Sequence, residues 1–286
     1  LGNLGGIPAT ELGSIAIREA LQRAQIDPAR VDEVIMGNVI SAGLGQAPAR
    51  QAALGAGLPP TVAALTVNKV CGSGLKAAML GAQAIRAGDA RVVVAGGMES
   101  MTGAPHLLRG ARDGWKMGEG KLVDAMLHDG LWCPFDDCAM GMHAEYTAEK
   151  HSISREDQDR LAVESHKRAA KAAEAHAFDE EIVPVLVRRR REEVTISADE
   201  GPRADSDVEG LARLRPAFDS NGTVTAGNAS MISDGAAAVV VTDAETASKS
   251  PAPWRDLHSS PNRRSTELLE SMTAAPHSLR GALDKA

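Results

Sequence analysis

The most constraining feature of this sequence is a succession of strand, tight turn, helix and strand between residues 61 and 97. Thr61 to Val70 is apolar and β-branched, which predicts a strand, and Cys71-Gly72-Ser73-Gly74 predicts a tight turn. A helix ending at Gly88 is then predicted by one apolar face: Leu75, Met79, Ala82 and Ile85. Arg91 to Ala95 predicts a second buried strand, closed by Gly96-Gly97. Such alternation is typical of an α/β protein with a mixed, mostly parallel sheet covered by helices.

The chain on either side of this unit continues the pattern. We predict a helix over residues 8–24, a strand over 34–40, and loop with a short helix over 41–60. From residue 102 to about 151 the periodicity fades, which predicts a long irregular excursion. Excursions of this length inside compact proteins usually carry function.

Beyond residue 151 the pattern becomes regular again and then changes character. A capping box at Ser154 predicts a helix to about Ala177, and Asn221-Gly222 predicts a turn. The face predicted for that helix is Leu161, Ser165, Ala169 and Ala172. Two further strands are predicted over 181–188 and, as a buried strand, 236–242. Residues 248–286 form an atypical tail interrupted by prolines, in which only 279–286 looks helical.

Composition excludes several classes of protein. The 31 Lys and Arg against 38 Asp and Glu give a net charge of −7, and aromatic residues make up only 2%, so nucleic acid is not an expected partner. Three cysteines cannot form a disulfide framework and fit a reducing compartment. No stretch has the length and apolarity of a membrane span, and no secretory signal is visible at Leu1, although the missing Met suggests an absent start. We therefore expect a cytoplasmic protein without a membrane partner.

Cys71 is the strongest candidate for chemistry. It lies between a predicted strand and a predicted helix, where helix N–H groups favour the thiolate form. The following Gly-Ser-Gly lets a substrate carbonyl approach the backbone, whose free amides can hold an oxyanion. The residues alone leave a second reading equally open, in which Cys71 is a small buried core thiol.

Four segments in order resemble those of the thiolases: residues 68–75 around Cys71, residues 94–101, residues 214–218, and residues 225–230 followed by 234–237. The resemblance covers about residues 1–247. It implies a thiolase-like layered α/β fold, with the N-terminal core in residues 1–101 and 233–247 and an inserted loop domain in 102–232. The first strand of the family's core is missing.

The resemblance also implies an activity. Thiolases join or split acyl groups on coenzyme A by Claisen chemistry, with acetoacetyl-CoA the leading substrate here and no cofactor beyond the coenzyme A thioester itself. Cys71 is implied as the nucleophile that accepts the acyl group. The residues implied to bind coenzyme A are Arg203 at its phosphates, Ala226 and Ser230 along the pantetheine arm, and Phe218, Met117, Leu131 and Met140 as the apolar wall. A homo-oligomer (dimer or tetramer) and a place in lipid metabolism are expected on the same basis.

No segment matches the family's second catalytic half, with its His and second Cys, so we expect turnover by this chain to be impaired. The alternative reading is a non-catalytic coenzyme A-binding module or an inactive relic. A decarboxylating condensing enzyme on the same fold is a third possibility, disfavoured by residues 71–74 and 96–100. The sequence does not decide between synthesis and breakdown.

The remaining clusters of cysteine, histidine and arginine are assigned no functional role. Cys133, Cys138 and His143 have a spacing that lacks a fourth metal ligand, so a loop thiol pair is preferred and no metal site is expected. Arg188 to Arg191 is read as a solvated strand end rather than a phosphate site. His106 and His128 are assigned no role.

Overall fold

The computed structural model describes residues 2–114, 117–189, 192–252 and 254, with the side chain of Arg189 excepted. The described residues form two compact units. The first consists of the described parts of Leu1–Gly130, Val183–Ala198 and Ile232–Arg255, and the second of those in Leu131–Ile182 and Asp199–Met231. Most of the tail predicted over 248–286, including its helix over 279–286, lies outside the described residues. The predicted boundaries of core and loop domain stay a prediction.

The helices and strands follow one another along the chain as the alternating pattern predicts. In chain order the α-helices are α1 (Ala9–Ala24), α2 (Pro48–Gly55), α3 (Ser73–Ala87), α4 (Met140–Lys150), α5 (Arg155–Glu174), α6 (Val208–Ala212) and α7 (Ala244–Ser248). The strands are β1 (Glu33–Gly37), β2 (Ala63–Val67), β3 (Val92–Ser100), β4 (His106–Leu108), β5 (Leu122–Asp124), β6 (Trp132–Cys133), β7 (Cys138–Ala139), β8 (Val185–Arg189), β9 (Glu192–Ile196) and β10 (Asp234–Thr242).

The first unit is built on a four-stranded sheet in the order β10-β3-β1-β2. β1 pairs in parallel with both β2 and β3, and β10 runs antiparallel to β3. Side chains that alternate along β1 and β3 enter two separate cores. Val34 and Met36 pack with α1 and α2, whereas Ile35, Val93 and Ala95 pack with α3. The predicted α/β class with a mostly parallel sheet is therefore confirmed.

Two strand predictions need correction. β3 does not close at Gly96-Gly97 but continues to Ser100, because β10 pairs with it along that stretch, Ala237 opposite Gly97 and Ala238 opposite Gly96. β10 was expected to be buried, yet the side chain of Val239 is 53% exposed. Glycine weakens an isolated strand, but here the hydrogen bonds to a neighbouring strand of the sheet keep β3 extended past Gly96-Gly97.

The excursion predicted as irregular contains short regular pieces. β4 pairs with β5, β6 pairs with β7, and Met126–Leu131 is a π-helix. Downstream, β8 pairs with β9, and Arg188 lies in an exposed ion pair with Glu193 at 2.9 Å. That pair agrees with the solvated strand end predicted there.

The capped helix is confirmed, but its buried face is not the predicted one. Ser154 is the N-cap of α5 and accepts a hydrogen bond from the Asp157 N–H. The buried residues of α5 are Asp159 and Val163, whereas Leu161 is 69% exposed. The buried face of α5 includes the carboxylate of Asp159. A search for apolar residues at helical spacing does not find a buried acid.

None of the helices in the described part of the chain combines the length and the apolar character needed to cross a membrane.

Gly37 lets the start of α3 lie against the end of β1. A Cβ added at Gly37 would lie 2.6 Å from the Ser73 Cβ and 2.8 Å from the Gly74 backbone nitrogen. Gly97 on β3 also faces α3, but its added Cβ would lie 3.5 Å from the Gly74 Cα, which is an ordinary contact. Because the contacts at Gly37 are mostly with backbone, no side chain can move away to make room.

We expect Gly37→Ala to lower the free energy of unfolding by about 1–3 kcal/mol, the usual cost of overpacking. The measurement is urea unfolding followed by circular dichroism. Gly6→Ala is the matched control, since an added Cβ there meets nothing within 4 Å. It should change stability by less than about 1 kcal/mol. Equal effects of the two substitutions would show that close packing at Gly37 is not what the fold depends on.

Candidate active site

Cys71 is presented by the turn that joins β2 to α3. Its residue is exposed, and Gly72 is the N-cap of α3, so the thiol stands one residue outside the helix. The strand, turn and helix predicted from the sequence are thus confirmed around it, but the predicted apolar face of the helix is not the buried one: Leu75 is 57% exposed, and the buried residues of α3 are Ser73, Ala77, Gly81 and Ala82, of which only Ala82 belongs to the predicted face. The alternative of a buried core thiol is wrong, because the sheet and α3 fill the core without it.

The backbone of this turn is held in an unusual conformation at Val70. Its φ of 48° lies in the left-handed region, which disfavours β-branched residues. Asn68 compensates by accepting the Val70 N–H on Oδ1 at 2.9 Å. Ser73 adds two more bonds: its Oγ donates to the Val70 carbonyl at 2.6 Å and accepts the Lys69 N–H at 2.8 Å. Strain held in place by surrounding bonds is typical of sites that must position one group.

The Cys71 N–H is left available by these bonds. Within the described residues, the N–H groups of Gly72 and Ser73 donate back to Lys69 and Val70, at 3.1 Å each, and the Cys71 N–H donates to no protein acceptor. An exposed thiol and an unused backbone donor therefore occur on one residue. Together they can attack a carbonyl and hold the oxygen on which negative charge develops.

A half-buried carboxylate ties β3 to the chain that follows β1. Glu99 accepts hydrogen bonds from the Val39 N–H at 2.8 Å, the Ile40 N–H at 3.2 Å and the Asn38 Nδ2 at 2.9 Å. Burial raises the pKa of Glu99 above its usual value, against the lowering by the two backbone donors. The nearby loop, whose Val39 carbonyl accepts from Asn68 Nδ2 at 3.4 Å, is thereby fixed.

In the second unit, Ala226 and Ser230 belong to one tight turn. The turn is closed by Asn228, whose Oδ1 accepts the Thr225 N–H at 2.7 Å, and by the Ala229 N–H donating to the Thr225 carbonyl at 2.9 Å. Thr225 is fully buried, whereas Ala226 and Ser230 are exposed. The turn therefore presents both predicted coenzyme A contacts to solvent.

Helix α4 joins Met140 and Phe218 to the same region. The Glu145 carboxylate accepts the N–H groups of Thr223 and Val224, each at 2.8 Å, which fixes α4 to the segment leading into the turn. The ring of Phe218 lies against Gly141, directly after Met140. One set of contacts therefore supports all four of these predicted coenzyme A contacts: Met140, Phe218, Ala226 and Ser230.

A buried ion pair supports the turn from behind. Asp159 on α5 is 1% exposed and accepts from Arg155 Nε at 2.7 Å and from Asn228 Nδ2 at 2.9 Å. Arg155 also donates to the Leu211 carbonyl at 2.6 Å. Each charge is therefore both paired and hydrogen-bonded, as buried charges need to be.

The remaining predicted contacts are more scattered. Arg203 is exposed, and its backbone N–H donates to His166 Nδ1 at 3.2 Å; Leu131 is half-buried at the end of the π-helix. Met117 is 99% exposed and belongs, with Cys71, to the first unit. The other six predicted contacts lie in the second unit.

Sequence reasoning missed the residues that hold the site rather than line it. Glu145, Asp159 and Asn228 were assigned no role. Asn228 lies inside a segment that the resemblance already marked, so that segment was a usable signal for it. Nothing in the local pattern distinguishes Glu145 or Asp159 from the solvated acids of an ordinary helix.

We expect Asp159→Ala to destabilise the second unit by about 3–5 kcal/mol, because it leaves Arg155, whose side chain is only 20% exposed, and the Asn228 amide without their acceptor. Thermal and urea unfolding would measure the loss. Glu164→Ala is the control on the same helix, since it removes only the exposed pair with Arg168. It should cost at most about 0.5 kcal/mol. Similar losses for both variants would contradict the supporting role of Asp159.

The raised pKa of Glu99 has a consequence for stability against pH. A carboxyl whose pKa is higher in the folded protein than in the unfolded chain stabilises the fold fully below its ordinary pKa of about 4.3. That stabilisation is lost as the pH rises through the pKa of the folded protein. Relative to the non-titrating Glu99→Gln, the unaltered chain should therefore lose stability across that window. Urea unfolding of both proteins over this pH range tests the sign. A constant difference, or one that grows in favour of Glu99, would contradict it.

Comparison with known proteins agrees with this geometry. The family model for the thiolase N-terminal domain matches residues 1–245. Acetyl-CoA acetyltransferase of Cupriavidus necator is 55% identical over 247 residues, which cover 86% of this chain and 63% of that protein. Acetyl-CoA acetyltransferase 2 of Arabidopsis thaliana is 57% identical over 250 residues, 86% of this chain and 62% of the relative. The Escherichia coli K12 acetyl-CoA acetyltransferase is 54% identical over 247 residues, with 86% and 63% covered.

The chain thus spans less than two thirds of the length of these relatives. Within that span, the match includes the turn that carries Cys71, the end of β3 and the turn that carries Ala226 and Ser230. On the family model and on these identities, the chain belongs to the thiolase family.

Proposed function

We propose that this chain is an acetyl-CoA C-acyltransferase in which Cys71 takes an acyl group from coenzyme A, with acetoacetyl-CoA the leading substrate. The observation that carries the proposal is the combination on one residue of an exposed thiol and an unused backbone N–H at the start of α3. The names of the relatives point to the same chemistry.

The first half-reaction follows from that geometry. In the direction of condensation, with acetyl-CoA as the acyl donor, the Cys71 sulfur attacks the thioester carbonyl, and the developing oxyanion accepts a hydrogen bond from the Cys71 N–H. The carbon–sulfur bond to coenzyme A then breaks, and the proton lost by Cys71 ends on the coenzyme A thiol. One thioester replaces another, so the acyl group stays activated for transfer.

In the second half-reaction the acyl group leaves Cys71 for C2 of a second acetyl-CoA. That step needs a base to remove a proton from C2, and we assign none among the described residues. Acylation of Cys71 is therefore the step on which the proposal is tested.

The proposed coenzyme A contacts lie mainly in the second unit. Ala226 and Ser230 are exposed on one tight turn, and their polar backbone groups suit the amides of a pantetheine arm. Phe218, 43% exposed, and Met140 offer apolar surface beside it. Leu131 is proposed to extend that wall, and the Arg203 guanidinium is proposed to meet the phosphates. Met117, in the first unit, is proposed as a further apolar contact of coenzyme A.

We also propose a cytoplasmic homo-oligomer, a dimer or tetramer, with a role in lipid metabolism. Three free cysteines suit a reducing compartment, and acyl-CoA thioesters are intermediates of lipid synthesis and breakdown. Light scattering of the purified chain tests the oligomer, and a clean monomer would contradict it.

We expect incubation with acetyl-CoA to add one acetyl group to the chain, detected by intact mass spectrometry. Cys71→Ala should abolish the adduct, since it removes the nucleophile. Peptide mapping supplies an internal control, because the buried Cys133 and the half-buried Cys138 should stay unmodified. An adduct that persists in Cys71→Ala, or that maps to either other thiol, would refute the assignment.

The same samples separate the alternatives. Coenzyme A binding by isothermal titration without any adduct would favour a non-catalytic binding module. The absence of both binding and adduct would favour an inactive relic. Release of carbon dioxide from malonyl-CoA would instead favour a decarboxylating condensing enzyme. A complete assay of acetoacetyl-CoA formation and thiolysis then determines which direction the chain supports.

A further inference from the structure

Three metal-binding side chains meet in the second unit, and the proposed function gives none of the three a role. The donor atoms of Cys133, Asp136 and His143 all lie within 4.8 Å of one another. His143 Nε2 is 3.2 Å from Asp136 Oδ2, and the Cys133 Sγ is 3.5 Å from the same oxygen. The sequence alone offered two thiols and an imidazole; the fold adds a carboxylate between them.

A second thiol, that of Cys138, lies on the neighbouring strand. β6 and β7 pair so that Cys138 lies directly opposite Cys133, and directly opposed residues of an antiparallel pair project from the same face. The connecting turn is fixed by Trp132 Nε1, which donates to Asp137 Oδ1 at 3.0 Å. All four donor residues therefore lie within residues 133–143, joined by a rigid turn and the first turn of α4.

The spacing of the donors matches one kind of ion. Ligands at about 2.0–2.3 Å from a tetrahedral Zn²⁺ stand about 3.3–3.8 Å apart, close to the two distances measured here. Sulfur and imidazole donors select Zn²⁺-like ions over Mg²⁺ or Ca²⁺, which prefer oxygen.

The burial of these side chains also suits the binding of a metal ion. Cys133 is 7% exposed and the His143 side chain 14%, whereas the Asp136 side chain is 60% exposed. The softer donors are therefore shielded from competing water, and the carboxylate side remains open for an ion to enter.

We propose that Cys133, Asp136 and His143 bind a thiophilic divalent ion of the Zn²⁺ class, with the Cys138 thiol as the fourth donor. Each thiol that binds gives up its proton to solvent, so an ion held by both displaces two protons. The site joins β6, β7 and α4 through one centre. It is independent of Cys71, which belongs to the other unit.

Titration of the reduced chain with Co²⁺ tests the proposal, because tetrahedral cobalt with thiolate ligands gives visible d–d bands and a near-ultraviolet sulfur-to-cobalt band. We expect one equivalent to bind, Zn²⁺ to displace it, and Cys71→Ala to leave the spectrum unchanged. Cys133→Ser, Asp136→Asn and His143→Gln should each weaken binding by about 10–100-fold or more. Asp136→Asn changes an exposed side chain, so it remains informative if another variant fails to fold.

His176→Gln is the matched control. It disrupts another imidazole–carboxylate pair of the same unit, with Asp179 at 2.8 Å, that is exposed and has no thiol in its ion pair. It should leave cobalt binding unchanged. Bound Zn²⁺ should also slow iodoacetamide labelling of Cys133 and Cys138 but not of Cys71. A cobalt spectrum without a sulfur band, or one equally sensitive to His176→Gln and His143→Gln, would overturn the proposal.

Discussion

The first unit depends on a close backbone approach between the start of α3 and the ends of two parallel strands. Gly37 on β1 provides the space, since any side chain there would meet the backbone of Ser73 and Gly74. With α3 seated there, the turn after β2 has little freedom. Asn68 and Ser73 then fix Val70 in its left-handed conformation, and Cys71 is carried to the surface. The exposed position of Cys71 thus depends on the missing side chain at Gly37, in the strand next to β2.

The second unit is organised differently, by charge rather than by close backbone contact. Asp159 and Glu145 project from successive helices and accept hydrogen bonds from the segment around residues 223–228. These bonds hold the segment in one conformation, because the buried Asp159 and the partly buried Glu145 would be left without donors if it moved away. The second unit is therefore sensitive to the loss of single acids.

The sequence was informative wherever a local rule decides the structure. The helix over 8–24, the strands flanking Cys71 and the Ser154 cap depend on neighbours in sequence, and all were found. The extension of β3 past Gly96 depends on β10, more than 130 residues away, and was therefore missed. The buried face of α5 was missed because an acid, Asp159, lies where an apolar residue was sought. For the candidate site, Cys71 was identified from its own segment, whereas Glu145 and Asp159 become recognisable only once residues 223–228 are folded against them.

The exposure of Cys71 has a consequence beyond catalysis. A thiol open enough to meet a thioester is open to peroxides as well, and cysteine oxidation follows accessibility. Of the three cysteines, Cys133 is buried and Cys138 half-buried, so a peroxide in solution reaches Cys71 first. Oxidation to a sulfenic acid removes the thiol reversibly, and further oxidation removes it irreversibly. Any reaction that used the Cys71 thiol would therefore stop in oxidising surroundings even while its substrate was present.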